Sequence, residues 1–169
     1  MNLRKMIMSS LFLSIGLILH QVMPPILFGM KPDIMLCMMF IAIAINKDYK
    51  MTILIGLVAG ILTASTTTFP GGQLPNIIDK FVTANCIYLL FKVFEDKFSN
   101  QIQMIIAAII GTLISGTVFL GSALVLVGLP GPFKALMIGV VLPSTILNAV
   151  GCSVFYNAVC LSLKRIKAF

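Results

Sequence analysis

Ser65-Thr66-Thr67-Thr68-Phe69-Pro70-Gly71-Gly72-Gln73-Leu74-Pro75-Asn76-Ile77-Ile78-Asp79-Lys80 is a polar stretch, broken by prolines and glycines, between two long apolar blocks. The chain around it has 59% hydrophobic and 10% charged residues and a mean hydropathy of +1.09. Soluble domains contain roughly 45–50% apolar residues. The composition therefore favours a protein whose solvent is lipid, and the polarity of residues 65–80 calls for an explanation.

Six apolar segments predict a single domain over residues 1–169, an all-α integral membrane protein with six transmembrane helices. The segments are 6–22, 33–45, 51–64, 77–94, 101–127 and 133–163. A helix needs about 20 residues to cross a bilayer core, so segments two and three are too short alone. Residues 24–32 and 65–75 must cover the remaining depth. Irregular backbone is tolerated there only inside protein or beside a watery cavity, so both loops are predicted to dip inward.

The charged residues favour one orientation of these helices. The chain has 12 Lys and Arg against 5 Asp and Glu. With the N-terminus inside, the cations at the cytoplasmic ends are Arg4, Lys5, Lys47, Lys50, Lys92, Lys97, Lys164, Arg165 and Lys167, against Lys31, Lys80 and Lys134 at the exterior ends. This bias predicts that both termini are cytoplasmic and that the dipping loops are extracellular. Cations at segment ends reach lipid headgroups, so they indicate contact with the lipid bilayer and no nucleic-acid partner.

The polar residues at the exterior end have two interpretations. Intramembrane ionisable side chains such as Asp79 and Lys80 are candidate ligand contacts because their burial is costly. However, Asn76 and Asp79 also have the spacing of an N-cap and an acid at the third helical position. In the same way, Pro32 and Asp33 fit a helix start with proline in the first turn. The sequence leaves capping and ligand binding open for both acids.

The sequence carries no motif for catalysis, nucleotide binding or metal binding. The four cysteines lie inside apolar segments without metal-ligand spacing, which is typical of small buried hydrophobes. His20, the single histidine, lacks a nucleophile or metal-ligand pattern and is interpreted as a structural hydrogen-bonder. No GxxxxGK[ST] loop is present, so ATP use by this chain is not expected. We expect no cofactor and no metal, and any energy that the protein needs would come from another protein.

Small residues four apart predict where helices approach each other closely. Gly56, Gly60 and Ala64 form such a ladder on segment three, and Gly111 with Ser115 does so on segment five. Ser10 and Ser14 have the same spacing on segment one.

Several motifs together resemble one transporter family. They are Met30-Lys31-Pro32-Asp33, residues 67–80 of the quoted stretch, Gly128-Leu129-Pro130-Gly131, and Val141-Leu142-Pro143 with Asn148. These residues resemble the tryptophan transporter family, whose members are similar to the substrate-binding S components of energy-coupling-factor (ECF) transporters. The resemblance covers nearly the whole chain.

The resemblance implies a six-helix S component in the bacterial cytoplasmic membrane that binds tryptophan from outside. It implies docking through membrane helices onto a T component that carries two ATPase subunits, followed by toppling to release the substrate. Segment one of S components carries small residues for that docking. Here Ser10 and Ser14 occupy the spacing in place of the more usual alanines.

A tryptophan zwitterion needs a cation or helix N-terminus for its carboxylate and an acid, amide or carbonyl for its ammonium. We expect Lys80 or Lys31, with the first amides of segment four, to receive the carboxylate. The ammonium would meet Asp79, Asn76 or Gln73. We expect Phe28, Phe69 and Met30 to cover the indole by stacking and sulfur–aromatic contacts. Asn148 or a threonine would accept the hydrogen bond of the indole N–H. Asp33, Thr67 and Thr68 complete the predicted site.

Other functions fit parts of the same pattern. The chain could be an S component for another aromatic amino acid or a vitamin, or a stand-alone secondary carrier driven by an ion gradient. A small intramembrane enzyme is a more distant alternative, because Asp79, Lys80 and His20 lie near one interface without nucleophile–base spacing. A purely structural helper would explain the small-residue faces but leaves the exterior polar residues unused.

Overall fold

A computed structural model describes residues 3–24, 33–95 and 97–166, with side chains described through residue 162. The described chain forms six helices. They are α1 (Leu3–Val22), α2 (Ile34–Asn46), α3 (Tyr49–Ser65), α4 (Gln73–Phe94), α5 (Asn100–Leu126) and α6, which comprises Phe133–Leu136, a π-helical stretch Met137–Val141 and Leu142–Ile166. The predicted all-helical membrane bundle is confirmed.

The helices differ in whether their length and apolar composition allow them to span a membrane. Helices α1, α5 and the Phe133–Ser162 part of α6 are long and apolar enough to cross it. Helices α2 and α3 are apolar but only 13 and 17 residues long. At about 1.5 Å per residue, α2 reaches only about 20 Å. Helix α4 has 22 residues and carries two buried charges, Asp79 and Lys80.

Helix α2 forms the centre of the bundle and touches each of the other five helices. Met35, Met39 and Phe40 are completely buried. A helix that is apolar on all sides needs protein or lipid around its whole circumference. Because α2 is surrounded by protein, it holds the acid at its N-terminus, Asp33, inside the bundle.

Helices α3 and α4 pack closely through the predicted small-residue ladder. A methyl group at Gly56 would lie 2.8 Å from Cβ of Ala84, and one at Gly60 would lie 2.9 Å from Cα of Ile77. Both positions therefore need glycine. The close packing places the beginning of α4, with Asp79 and Lys80, against the end of α3.

The loop between α3 and α4 is shorter than predicted. Helix α3 continues through Ser65 and α4 begins at Gln73, so Thr66–Gly72 is the non-helical part. Gly71 has a φ of 70°, which favours glycine and turns the chain into α4. Pro75 lies in the first turn of α4. Backbone N–H groups there have no partner within the helix, so the missing N–H of proline costs no helical hydrogen bond. Of the other segment predicted to dip inward, residues 24–32, the structure describes only Pro24.

Candidate functional site

A cavity of about 140 Å³ lies at the end of the bundle that carries the Thr66–Gly72 loop. All six helices and this loop contribute to its wall. The predicted site residues that line it are Asp33, Thr67, Thr68, Phe69, Asn76, Asp79, Lys80 and Asn148. The predicted loop therefore lines a cavity, as the short helices required.

Three charged side chains meet in the wall of this cavity. Lys80 Nζ lies 2.5 Å from Asp33 Oδ2 and 2.6 Å from Asp79 Oδ2. The Lys80 and Asp79 side chains are 2% and 1% exposed, whereas that of Asp33 is 23% exposed. Buried ions are retained in proteins when they are paired and hydrogen-bonded. Asp33 is the carboxylate of this cluster that a solute reaches most easily.

The oxygens of Asp79 are occupied by protein donors. Thr83 Oγ1 donates to Asp79 Oδ1 at 2.9 Å, and Ser115 Oγ donates to Asp79 Oδ2 at 2.9 Å. The capping interpretation of Asp79 is wrong, because α4 begins at Gln73 with Gly72 as its N-cap. Asp79 instead holds the Lys80 ammonium in place.

Asp33 caps α2 and also faces the cavity. Its Oδ1 accepts a hydrogen bond from the Leu36 backbone N–H at 3.0 Å, and His20 Nδ1 lies 3.7 Å from the same oxygen. Helix α2 begins at Ile34, so Asp33 is the N-cap itself and Pro32 precedes it. The two interpretations left open by the sequence are therefore compatible at this residue.

The charge cluster has unused capacity toward the cavity. An ammonium has three N–H donors, and Lys80 uses two of them on Asp33 and Asp79. Among the described lining residues, the two aspartates outnumber the single lysine. The cluster can therefore offer one N–H to an anion and a carboxylate oxygen to a cation.

The other part of the cavity is apolar and aromatic. Phe69 of the loop and Phe119 of α5 form an edge-to-face pair with ring centroids 5.3 Å apart. Val140 and Val141 complete this wall from the π-helical stretch of α6. These rings and valines suit an aromatic side chain by their chemistry, since aromatic pairs stack edge to face.

Asn148 adds a polar group to the apolar part. Its Nδ2 donates to Thr112 Oγ1 at 3.2 Å, and the residue is 2% exposed. Its Oδ1 has no hydrogen-bond partner in the part of the chain that is described. A buried carbonyl oxygen without a donor costs about 1–3 kcal/mol. Asn148 Oδ1 is therefore a free acceptor for an N–H of a bound solute.

The other predicted site residues have different outcomes. Gln73 is exposed at the first position of α4 and is not part of the cavity wall. Asn76 lines the cavity, but its Nδ2 donates to Gly72 O at 2.7 Å. Lys31, Phe28 and Met30 lie outside the described residues.

Sequence reasoning missed several residues of the wall. The sequence predicts only a structural role for His20 and does not mark Thr112, Ser115 or Phe119 of α5 as site residues, although all four line the cavity. Gly111 and Ser115 did stand out as a small-residue pair. The hydroxyl of Ser115 in this pair is the sequence feature that could have indicated a polar contact of α5 inside the bundle.

A bundle of apolar helices around a cavity with one ionic and one aromatic part defines a multi-pass membrane protein with a site for a small amphipathic solute. The chain belongs to the tryptophan transporter family. The family model described as tryptophan transporter TrpP matches residues 2–164.

Relatives of nearly the same length agree with this family. A protein of Clostridium acetobutylicum is 57% identical over 97% of this chain and 96% of the relative. One of Bacillus subtilis is 44% identical over 98% and 95%, and one of Clostridium perfringens is 42% identical over 97% and 95%. Each carries the name "Probable tryptophan transport protein". No solved structure matches the chain.

Proposed function

We propose that this protein captures tryptophan from the exterior in the cavity between its helices and imports it across the bacterial cytoplasmic membrane. The observation that carries the proposal is the Asp33–Lys80–Asp79 cluster beside an aromatic-lined space. A zwitterion with a ring needs these two environments next to each other. The names of the relatives and of the family support the same substrate.

Within the cluster, Asp33 receives the α-ammonium and the third N–H of Lys80 receives the α-carboxylate. Asp33 and Lys80 are in contact, so the two charged groups on one carbon of the substrate meet them together. Asp79 acts as a positioning residue, because its oxygens are already bonded to Lys80, Thr83 and Ser115. This assignment gives the ammonium to Asp33, whereas the sequence-based expectation was Asp79, Asn76 or Gln73.

The indole ring lies between the aromatic pair and α6. Phe69 and Phe119 offer edges and faces for stacking at 5.3 Å centroid separation, an arrangement worth about 0.5–1.5 kcal/mol beyond area burial. The indole N–H donates to Asn148 Oδ1. Phenylalanine has no such donor, so Asn148 makes the site selective for tryptophan.

Replacing Asn148 with leucine is expected to weaken tryptophan binding about tenfold, because the indole N–H loses its acceptor at a cost of about 1–3 kcal/mol. Binding of 1-methyltryptophan, which lacks that N–H, should change much less. Isothermal titration calorimetry with both ligands measures the difference between them.

Asn85→Leu is the matched control, because Asn85 bonds Phe81 O in its own helix and does not line the cavity. It should leave both affinities unchanged. Equal losses for tryptophan and 1-methyltryptophan in Asn148→Leu would remove Asn148 from the indole site.

We further propose that the protein acts as the S component of an ECF transporter and docks onto a T component with two ATPase subunits through α1. Ser10 and Ser14 are exposed on α1, where Ile7 and Leu11 are also 60% and 57% exposed. Small residues on a lipid-facing side let another helix approach closely. The face is thus available to a partner.

A Ser10→Leu/Ser14→Leu variant is expected to lose co-purification with the T component and ATPases and to lose uptake, because the added side chains hold the partner helix away. Tryptophan binding by the solitary protein should remain, since neither serine lines the cavity. Pull-down from co-expressing cells and radiolabelled uptake measure both effects.

Thr117→Leu on α5, at another exposed hydroxyl residue, is the control and should retain docking. Uptake that persists in cells without the ATPases and collapses with an ion gradient would contradict the S-component role. It would favour the stand-alone carrier.

A further inference from the structure

His20 is a polar residue of the cavity wall to which the proposed function gives no role. It lies in the last turn of α1 and lines the cavity that Asp33 and Asn148 also line, here called the outer cavity because the charge bias predicts that it opens to the exterior. His20 is the single histidine of the chain. The charge of an imidazole ordinarily changes between about pH 5 and 8, so this part of the wall can carry a charge that depends on pH.

One ring nitrogen of His20 is buried without a hydrogen bond. Nδ1 has no hydrogen-bond partner in the described part of the chain. Asp33 Oδ1 lies 3.7 Å from it, which is beyond the length of a hydrogen bond. The His20 side chain as a whole is 15% exposed. A buried polar atom without a partner costs free energy, so the position beside Asp33 calls for an explanation.

Asp33 has limited capacity for further donors. A carboxylate offers about four acceptor positions. Its Oδ2 contacts the Lys80 ammonium, and its Oδ1 accepts a hydrogen bond from the Leu36 backbone N–H. About two positions remain, and His20 lies beside one of the two oxygens. A protonated His20 therefore competes with a substrate ammonium for the same carboxylate.

The charges around His20 give this competition its sign. Helix α1 packs against α2 and α3. Among the described residues that line the outer cavity, the charged ones are Asp33 beside α2 and Asp79 and Lys80 on α4, and α3 contributes none. Two carboxylates and one ammonium leave an excess of one negative charge, which attracts a cation. A proton on His20 cancels this excess and places a second cation beside the substrate ammonium, so protonation opposes binding.

We propose that His20 is a positioning residue that makes tryptophan capture depend on pH by acting through Asp33. The neutral imidazole leaves Asp33 open to the substrate ammonium, and the protonated imidazole pairs with Asp33 and opposes binding. The proton comes from water and returns to it when the substrate binds. This role rests on the proposed function, because it uses Asp33 as the partner of the ammonium.

The pH dependence of tryptophan affinity tests the proposal on the full chain in detergent micelles. Isothermal titration calorimetry at about pH 7.5 and about pH 5.5 spans the range in which imidazoles titrate. Wild-type affinity is expected to be at least about threefold weaker at the lower pH. The loss is at most about tenfold per pH unit, because binding displaces no more than one proton from His20.

Indole-3-propionate is the matched ligand, because it has the indole and the carboxylate of tryptophan but no ammonium. A proton on His20 does not repel this anion, so its affinity should fall by less than about twofold over the same range. His20→Gln is the matched variant, since glutamine keeps a hydrogen-bonding side chain but cannot be protonated. It should bind tryptophan at about pH 7.5 with nearly wild-type affinity and lose less than about twofold on acidification.

Proton release provides a second measurement that needs no variant. Calorimetry near pH 6.5, in two buffers that differ in ionisation enthalpy, counts the protons released when tryptophan binds. The wild-type protein should release a fraction of one proton with tryptophan and none with indole-3-propionate. If His20→Gln does not fold, these two ligands decide the question on the wild-type protein alone.

Equal tryptophan affinity of the wild-type protein at both pH values would overturn the proposal and leave the tryptophan site in place. A pH dependence that persists in His20→Gln would also overturn it, because another group would then bind the proton. So would an equal loss for indole-3-propionate, which would mean that the whole cluster changes with pH. Absence of tryptophan binding at either pH would instead contradict the proposed function and, with it, this role of His20.

Discussion

Lys80→Met is expected to lower the free energy of unfolding by about 3–5 kcal/mol, since removing one partner of a buried ion pair leaves an uncompensated buried charge. Here the loss leaves two carboxylates, Asp33 and Asp79, without their shared ammonium. Tryptophan binding should also disappear, because the carboxylate of the substrate loses its donor. Denaturant titration in detergent micelles measures the stability change.

Lys97→Met is the control for this variant, because Lys97 is an exposed lysine of the α4–α5 connection. It should change stability by less than about 0.5 kcal/mol. The neutral triple variant Asp33→Asn/Asp79→Asn/Lys80→Met should recover much of the lost stability, since no unpaired charge remains. Lys80→Met with wild-type stability would show that the cluster does not depend on its cation.

Asp33→Asn is expected to weaken tryptophan binding by about 2–5 kcal/mol, roughly 30-fold or more, because the substrate ammonium loses its charged partner in a desolvated site. The fold should survive, since asparagine caps helices as well as aspartate does and Lys80 keeps Asp79. Indole-3-propionate, which has no ammonium, should lose much less affinity. Calorimetry with the two ligands measures the difference.

The chain offers a matched control in Asp48→Asn. Asp48 caps α3 through its own hydrogen bond from the Lys50 backbone N–H and does not line the outer cavity. The substitution removes the same charge from the same kind of helix start. Tryptophan affinity should stay unchanged in Asp48→Asn, and an equal loss in both variants would mean that net charge, not contact, governs binding.

The sequence predicted the helical bundle and a cavity beside the loop after α3, because both depend on local signals. Apolar segments of limited length identified α2 and α3 as short, and their length required a loop that lines a cavity. Helix α2 has 13 residues and the Thr66–Gly72 loop lines the outer cavity. Glycine spacing on α3 likewise predicted a close helix contact, and the structure shows that the partner is α4.

The partners inside the site could not be predicted, because they come from distant parts of the chain. Asp79 and Ser115 are 36 residues apart, as are Asn148 and Thr112. Locally, Asn76-Ile77-Ile78-Asp79 satisfies a capping pattern equally well. In the structure α4 begins at Gln73, and Pro75 is tolerated in its first turn. Asp79 therefore lies inside the helix and not at its N-terminus.

The role of α6 was also beyond local reasoning. Pro143 predicts a disturbance of the helix, and the π-helical stretch Met137–Val141 ends two residues before it. How far this stretch enters the site depends on Gly116, where a methyl group would lie 2.5 Å from Cγ1 of Val141. The absence of a side chain on one helix thus determines the aromatic wall formed by another.

Calorimetric titration of the purified solitary protein with L-tryptophan tests the central claim most directly, with phenylalanine and tyrosine as competitors. We expect saturable binding at the cavity beside Asp33 and Lys80 that is at least about fivefold tighter for tryptophan than for phenylalanine, because the Asn148 hydrogen bond is worth about 1–3 kcal/mol. We also expect Asp33→Asn to weaken this binding. No heat of tryptophan binding from folded protein, or equal affinity for all three amino acids, would contradict the claim.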